Sequence, residues 1–236
     1  MDLSRTPARR WLSPVPWGFA LLAAASSLTY GSDHAVNAWA STNLANMGDH
    51  PVAALITSAF LFGPDPWASL RSIALTGAIL AFLVIRFGNL RALALSAAGQ
   101  VLGTLVSEGL LAARIETGQA DPALRATLDV GPSYVIVSAL AAVVAAGARR
   151  WHRWTALAVL VVRAPHIVSG LTTLGVTPVG HVTALCTGML LARGLRSSDA
   201  CRPAVRWRSC PGPDRASAVP NQSALRGHPA KPGVPT

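Results

Sequence analysis

A serine and a histidine, each inside an apolar run, could together carry out nucleophilic chemistry. Ser133 lies in LDVGPSYVIVSALAAVV, residues 128–144, and His181 begins HVTALCTG, residues 181–188. A hydroxyl becomes a useful nucleophile when a neighbouring imidazole accepts its proton, and the imidazole can return that proton to a leaving group. The two residue types therefore predict acyl-transfer chemistry, provided that the fold brings them together.

The residues before Ser133 predict the start of a helix. Pro132 has a fixed φ and no N–H and suits the first helical position, which places Ser133 second. The Ser133 N–H is then one of the donors left unpaired at the positive end of the helix, where it suits an oxyanion developing on an attacked carbonyl. The same residues, with Asp129 and Gly131, are also ordinary for a helix start without any catalytic role. Both interpretations stay open at this point.

Six apolar segments must position these residues. Each approaches the ~20 residues that a helix needs to cross ~30 Å of hydrocarbon. Composition agrees, since 51% of the 236 residues are hydrophobic and only 13% are charged, which is typical of an integral membrane protein. We expect an all-α membrane protein with a six-helix domain over residues 15–195, its first helix uncleaved. The segments lie near 15–31, 67–87, 90–112, 131–148, 154–171 and 176–195.

The arginines predict the orientation of the helices, because cytoplasmic loops retain Lys and Arg. With six spans, the arginine clusters all fall on one side and most acidic loop residues on the other. We therefore expect a cell-membrane protein with both termini cytoplasmic, residues 1–14 forming the N-terminus and 196–236 a disordered tail. The first-loop segment 32–66 contains PVAALITSAFLFG, which is too short to span and predicts a re-entrant or interfacial segment. The clusters are Arg5, Arg9 and Arg10; Arg86 and Arg91; Arg149, Arg150 and Arg153; and Arg193 and Arg196.

Several other functions are not supported by the composition. The formal charge of +10 does not predict nucleic-acid binding, because the basic residues lie in short clusters between apolar segments rather than in one patch. The spacing of Cys186, Cys201 and Cys210 fits neither a zinc site nor a redox pair, so no metal is expected. The absence of an internal repeat disfavours a transporter, as does the position of the in-span arginines, Arg71 and Arg163, close to the outer side.

Ser133 and His181 are expected at nearly the same depth. Both segments enter from the outer side, Ser133 about three residues in, which is roughly 5 Å at 1.5 Å per residue, and His181 about five residues in. Small residues allow close helix approach in lipid, so we expect the two helices to pack and to bring hydroxyl and imidazole within reach. At helical spacing the mostly small residues are Val137, Ala141, Ala145 and Ala148 after Ser133, and Ala184 and Gly188 after His181.

These residues resemble the rhomboid family of intramembrane serine proteases. That family has a six-helix core with G-x-S-G on the fourth helix and H-x-x-G-x-x-x-G on the sixth. The stretch from LITSAFLFG to LVIRFGNLR also resembles the family's first-loop insertion, second helix and cytoplasmic turn. The resemblance implies a rhomboid-like bundle in which Ser133 is the nucleophile and His181 the general base. The matching residues are Gly131, Pro132, Ser133 and Tyr134, and then His181, Ala184 and Gly188.

Two departures from the family pattern bear on the site. Tyr134 stands where the serine motif ends in glycine, and its ring, next to the nucleophile, could narrow the cavity. In the family a second-helix pair, H-x-x-x-N, helps to stabilise the oxyanion, and an alignment without gaps places Trp67 and Arg71 there. An arginine or an indole N–H can each donate to an oxyanion. The oxyanion or cavity candidates are therefore Gly131, Tyr134, Trp67 and Arg71.

Three functions follow as hypotheses. The first is a rhomboid-like serine endopeptidase that uses a Ser133–His181 dyad, without a cofactor, to cleave transmembrane segments near the outer face. The second is a catalytically inactive rhomboid-like protein that binds membrane clients in the same groove. The third is an unrelated six-helix membrane protein or small transporter. In the first two, the expected partners are single-span membrane proteins and membrane lipid, and no nucleic acid.

Overall fold

The structure, a computed structural model, describes residues 13–62 and 65–200, with side chains as far as residue 196. Over these ranges the chain is helical and contains no strand, which confirms the all-α prediction. Short 3-10 turns cover Ser58–Phe60, Pro122–Ala126 and Leu171–Thr173. The α-helices are α1 Pro14–Tyr30, α2 His34–Ala40, α3 Leu44–Asp49, α4 Pro51–Thr57, α5 Pro66–Phe87, α6 Asn89–Glu116, α7 Ser133–Ala146, α8 Arg150–Val168 and α9 Val176–Ala200.

The six longest helices, α1 and α5 to α9, coincide with the six predicted apolar segments. Of the described helices, α5 and α6 are both long and apolar enough to cross a membrane, while α7 is apolar but shorter. Six crossings and cytoplasmic termini therefore stay predictions. Helix α9 continues to Ala200, past the predicted start of the tail at residue 196. Residues 1–12 of the predicted N-terminus and 201–236 of the predicted tail lie outside the described residues.

Helix α7 lies at the centre of the bundle. Every residue of this helix except Ser133 and Val144 is buried, and α5, α6, α8 and α9 all pack against it. A helix that is apolar on all sides is stable only when neighbours or lipid cover every face. The chain therefore surrounds α7 with its other long helices, and the residues that begin α7 lie where several of them meet.

Glycines allow α6 and α9 to approach α7 closely. We call Gly99, Gly103, Gly180 and Gly188 the glycine seam. A Cβ at Gly188 would lie 2.8 Å from the backbone carbonyl carbon of Ser138, and one at Gly99 would lie 2.5 Å from the Ser138 Oγ. A side chain at Gly99, Gly180 or Gly188 would require its neighbours to move apart, and one at Gly103, with contacts of 3.1–3.2 Å, would require a smaller adjustment. The seam therefore sets the distance between α7 and its two neighbours, as expected for helices that associate in lipid.

The first-loop segment is packed against the bundle through Ser58 and two phenylalanines. The Gly131 N–H donates to the Ser58 carbonyl oxygen at 2.7 Å, and Gln100 Nε2 donates to Ser58 Oγ at 3.3 Å. The ring of Phe60 packs on Phe19 of α1, with ring centroids 5.2 Å apart. These contacts tie the loop to α1, to α6 and to the residues that precede α7. Its interfacial location stays a prediction.

Candidate active site

Ser133 and His181 line one cavity of about 610 Å³. It is bounded by α5, α7, α8 and the beginning of α9. Helices α5 and α8, which form two of its walls, hardly contact each other. The walls include Ala68, Ser69 and Ser72 of α5; Ser133, Ile136, Val137 and Leu140 of α7; Arg163, His166 and Ile167 of α8; and Thr177 and His181 of α9.

Ser133 is the first residue of α7, one position earlier in the helix than the sequence predicted. Pro132, expected at the first helical position, is the N-cap, with φ −83° and ψ 25°. The first helical hydrogen bond runs from the Ile136 N–H to the Pro132 carbonyl oxygen at 2.9 Å. The Ser133 N–H therefore precedes the first intrahelical donor and has no acceptor within its own helix. The expected unpaired donor is present, although the helix starts one residue later.

His181 is buried, with 5% of its surface exposed. Within the described chain neither ring nitrogen has a partner in hydrogen-bonding geometry, although the Ile167 backbone lies close to the ring. Ser133 and His181 thus share a cavity without a hydrogen bond between them. Bonds between catalytic groups are often long or misaligned in ligand-free structures and tighten when substrate binds, so the arrangement is compatible with a dyad.

Gly131 shapes the entrance to α7 with its backbone. Its φ of +108° lies in a region that glycine adopts readily and that residues with a Cβ avoid. Its N–H already donates to the Ser58 carbonyl oxygen at 2.7 Å. Gly131 lines the cavity, but because this amide is occupied, the Ser133 N–H is the better oxyanion donor of the two.

Tyr134 does not narrow the cavity, contrary to the expectation from sequence. Consecutive residues of a helix point about 100° apart, so Ser133 faces the cavity while Tyr134 faces α6 and α9. Its side chain is 1% exposed. A Cβ at Gly180 would lie 2.6 Å from Tyr134 Cε1, and one at Gly103 would lie 3.2 Å from Cγ. The ring therefore occupies space that two glycines of the seam leave free.

Asp129 connects Tyr134 to the first loop. The Tyr134 hydroxyl donates to Asp129 Oδ2 at 2.9 Å, and Thr42 Oγ1 lies 3.3 Å from the same oxygen. The backbone of Asp129 is held as well, because its N–H donates to Ser41 Oγ at 2.8 Å and its carbonyl oxygen accepts from the Thr42 N–H at 3.0 Å. Burial raises the pKa of the Asp129 carboxyl, and the hydrogen bonds from Tyr134 and Thr42 oppose that rise.

Trp67 and Arg71, the predicted replacements for the oxyanion pair, lie outside the cavity wall. Trp67 is 71% exposed, and Arg71 is exposed as well. Helix α5 begins at Pro66 under an Asp65 cap, and it turns Ala68 and Ser72 toward the cavity. These two residues have the H-x-x-x-N spacing one position later in the chain. The alignment without gaps therefore does not place its two residues at the cavity, whereas Ala68 with Ser72, and Asp65 with Ser69, line it at the same four-residue spacing.

A family model described as rhomboid-like protein matches residues 32–209. The chain belongs to the rhomboid-like protein family. This match confirms the resemblance drawn from the serine and histidine motifs, and it covers α2 to α9. Neither the curated proteins nor the solved structures include a significant match to the chain. Membership of this membrane-associated family, together with the apolar helices α5 and α6, supports a membrane protein.

The helix-packing candidates of this rhomboid-like protein lie on α9. Ala184 is completely buried, and Gly188 lies against the backbone of Ser138. The contact with α7 is made through Tyr134 and Ser138, whereas the sequence suggested the face that carries Ser133 and Val137. The two helices do pack closely, but α7 is rotated so that Ser133 is free to face the cavity.

Two cavity residues of the rhomboid-like site were not among the sequence candidates. Arg163 is half-buried in the wall and lies near enough to His181 to interact with it electrostatically. His166 follows on the same wall and is exposed. The signal for Arg163 was a charged residue inside the apolar run LAVLVVRAPHIV, since ionisable groups within a span usually face the interior. Over the part of the chain described, His, Cys, Asp and Glu form no group that could hold a metal ion.

Proposed function

We propose that this rhomboid-like protein is an intramembrane serine endopeptidase that cleaves single-span membrane proteins near the outer membrane face. The observation that carries the proposal is the shared cavity of Ser133 and His181. In the proposed reaction Ser133 Oγ attacks the peptide carbonyl carbon while His181 accepts the hydroxyl proton. The Ser133 N–H donates to the resulting oxyanion. His181 then gives its proton to the leaving amine, and water hydrolyses the ester with His181 as base.

The cavity wall suits an apolar peptide. Ile136, Val137 and Leu140 supply an apolar surface beside Ser133. Because α5 and α8 hardly contact each other, a transmembrane segment has a lateral route between them to the nucleophile. The segment must be extended at the cut, since carbonyl groups inside a helix are occupied by intrahelical hydrogen bonds. Localisation in the cell membrane with several spans is part of this proposal.

A second candidate function is supported by the α5 wall. Of the α5 residues at the cavity, Ala68 offers no side-chain donor, and Ser69 and Ser72 offer hydroxyls in place of the family's histidine and asparagine. Losing one oxyanion donor costs about 10²- to 10³-fold in rate. A protein with this cavity could hold a client's transmembrane segment without cutting it. We keep client binding as the alternative that the experiment must separate from proteolysis.

The test combines labelling and cleavage. The protein is purified in detergent, treated with a serine-reactive phosphonate and also co-expressed with single-span substrates. We expect labelling and cleavage to disappear in Ser133→Ala and to fall about 10²- to 10⁴-fold in His181→Ala. Ser169→Ala and His34→Ala, which alter the same residue types outside the cavity, are the matched controls and should behave as the unaltered protein.

Two outcomes would decide against proteolysis. Cleavage products that are identical in the unaltered protein and in both cavity variants would mean that another enzyme makes the cut. Absence of labelling, together with co-purification of the same client by the unaltered protein and by Ser133→Ala, would favour client binding.

A further inference from the structure

We propose that Tyr134 is a positioning residue for His181, and that its hydrogen bond to Asp129 links the position of His181 to the first loop. Tyr134 occupies the glycine position of the serine motif and does not line the cavity. The consequence of this role for the rate rests on the proposed function. Its structural part, the contact that orients the histidine, is independent of whether the site is catalytic.

The orientation of the imidazole depends on what surrounds the His181 ring. In a serine–histidine–acid site, the acid accepts a hydrogen bond from the histidine and thereby fixes its orientation. His181 makes no such bond to an acid in the described chain, because neither ring nitrogen has a partner in hydrogen-bonding geometry and the polar group close to the ring is the Ile167 backbone. Its ring instead meets the Tyr134 ring edge to face, with centroids 5.3 Å apart and planes at 78°. Aromatic pairs favour this geometry, so packing replaces the hydrogen bond as the orienting contact.

Tyr134 is itself held in position by its neighbours. Gly103 and Gly180 flank its ring so closely that a Cβ at Gly180 would lie 2.5 Å from the phenolic oxygen. The hydroxyl donates to Asp129 Oδ2 at 2.9 Å. The ring is thus held at its sides by backbone and at its tip by a carboxylate. A side chain so restricted can determine where its neighbour lies.

Asp129 in turn connects Tyr134 to the first loop. Asp129 is bonded through its backbone and its carboxylate to Ser41 and Thr42, in the connection between α2 and α3. The carboxyl group of Asp129 therefore contacts Tyr134, which in turn contacts the imidazole of His181. Displacement of the α2–α3 connection would move Asp129, release the tyrosine hydroxyl and loosen the packing on His181.

NMR of the His181 ring measures its environment directly. The protein is labelled with ¹³C,¹⁵N-histidine in detergent micelles, and the His181 ring signals are identified by their loss in His181→Gln. Tyr134→Leu removes the aromatic ring, so we expect the largest change in these signals. Tyr134→Phe retains the ring and should restore most of the original shift. Tyr30→Leu, which alters the other tyrosine of the chain, 45% exposed, is the matched control and should leave His181 unchanged.

The carboxylate is tested separately, with the backbone bonds of the loop left intact. Asp129→Ala removes the carboxylate oxygen that accepts from the Tyr134 hydroxyl and from Thr42 Oγ1, and we expect the His181 signals to broaden or shift. Asp129→Asn keeps an oxygen acceptor and should rescue them. In phosphonate labelling of Ser133, Tyr134→Phe and Asp129→Ala should each lower the rate roughly 2- to 10-fold, which is the range for losing one hydrogen bond.

Two results would overturn the proposal. Unchanged His181 signals in a folded Tyr134→Leu protein would mean that the ring does not orient the histidine. If that variant loses its helical circular dichroism, Asp129→Ala decides, and unchanged His181 signals there would overturn the link to the loop. Absence of labelling in the unaltered protein would contradict the proposed protease function, while the NMR comparison would still test the positioning role.

Discussion

The two sides of α7 have opposite characters, although they start from adjacent residues. Tyr134 begins the side that faces α6 and α9, where glycines bring backbone against backbone. Ser133 begins the side that faces α5 and α8, where a cavity of about 610 Å³ remains. The side that faces α6 and α9 has little space for additional side-chain atoms, whereas the side that faces α5 and α8 has room for a peptide.

The difference indicates that the side of α7 facing α6 and α9 supplies stability, whereas the side facing α5 and α8 supplies the chemistry. In lipid, close packing of small residues replaces the hydrophobic drive that holds soluble helices together. A tightly packed side can fix the position of a helix, and the helix then presents its other side to a ligand without moving. Substitutions in the seam should therefore act on stability, and substitutions in the cavity on reaction or binding.

The largest effect is expected at Tyr134, which the sequence suggested as an obstacle and the structure places in the seam. Tyr134→Gly would leave the space between Gly103 and Gly180 empty. Loss of a large buried aromatic side chain costs roughly 3–5 kcal/mol, so the free energy of unfolding in detergent should fall by that amount and labelling should fall with it. A variant that keeps its stability and labels faster would show that the ring obstructs the cavity after all.

The next effect is expected from the seam glycines. Gly188→Ala places a Cβ against the backbone of Ser138, and overpacking costs typically about 1–3 kcal/mol. Gly194→Ala on the same helix meets nothing within 4 Å and should be neutral or stabilising by up to ~1 kcal/mol. Thermal unfolding of the two variants side by side checks this. Equal stability of the two would contradict a seam that sets the helix spacing.

A smaller effect, confined to the cavity side, is expected at Arg163. Its positive charge in the wall favours the negative charge that develops during attack by Ser133. Arg163→Gln should reduce phosphonate labelling about 10-fold, equivalent to ~1.4 kcal/mol, without changing thermal stability. Arg163→Lys should retain most of the rate. Arg125→Gln, at an exposed position outside the cavity, is the control, and equal rates in all four proteins would remove Arg163 from the site.

The smallest effects are expected on α5, where they distinguish the face that lines the cavity from the exposed face. Trp67→Phe and Arg71→Gln alter exposed side chains outside the cavity, so both should label at rates within about 2-fold of the unaltered protein. Ser72→Ala removes a hydroxyl from the wall and should reduce the rate by about 3- to 10-fold, which matches one hydrogen bond. The opposite order of effects would restore the alignment without gaps and place Trp67 and Arg71 at the oxyanion.

Much of this fold was predictable because run length and composition are properties of the chain itself. Apolar runs located the six long helices, and two short motifs predicted family membership, which the match over residues 32–209 confirms. Helix rotation was not predictable in the same way. The structure starts α7 at Ser133, one residue later than predicted, and it leaves Trp67 and Arg71 outside the cavity. A displacement of one residue changes a run of twenty residues little but turns a side chain by about 100°.

The sequence by itself determined which segments form the six long helices, which two residues are the candidates for the chemistry, and which family the chain belongs to. Only the tertiary structure decided that Tyr134 faces the seam, because the space for its ring comes from Gly103 and Gly180 on two other helices. Only the tertiary structure joined Asp129 to the first loop and placed Arg163 beside the cavity. The direction in which a side chain points, and the residues that surround it, depend on helices that are distant in sequence. The sequence of a single segment therefore does not determine them.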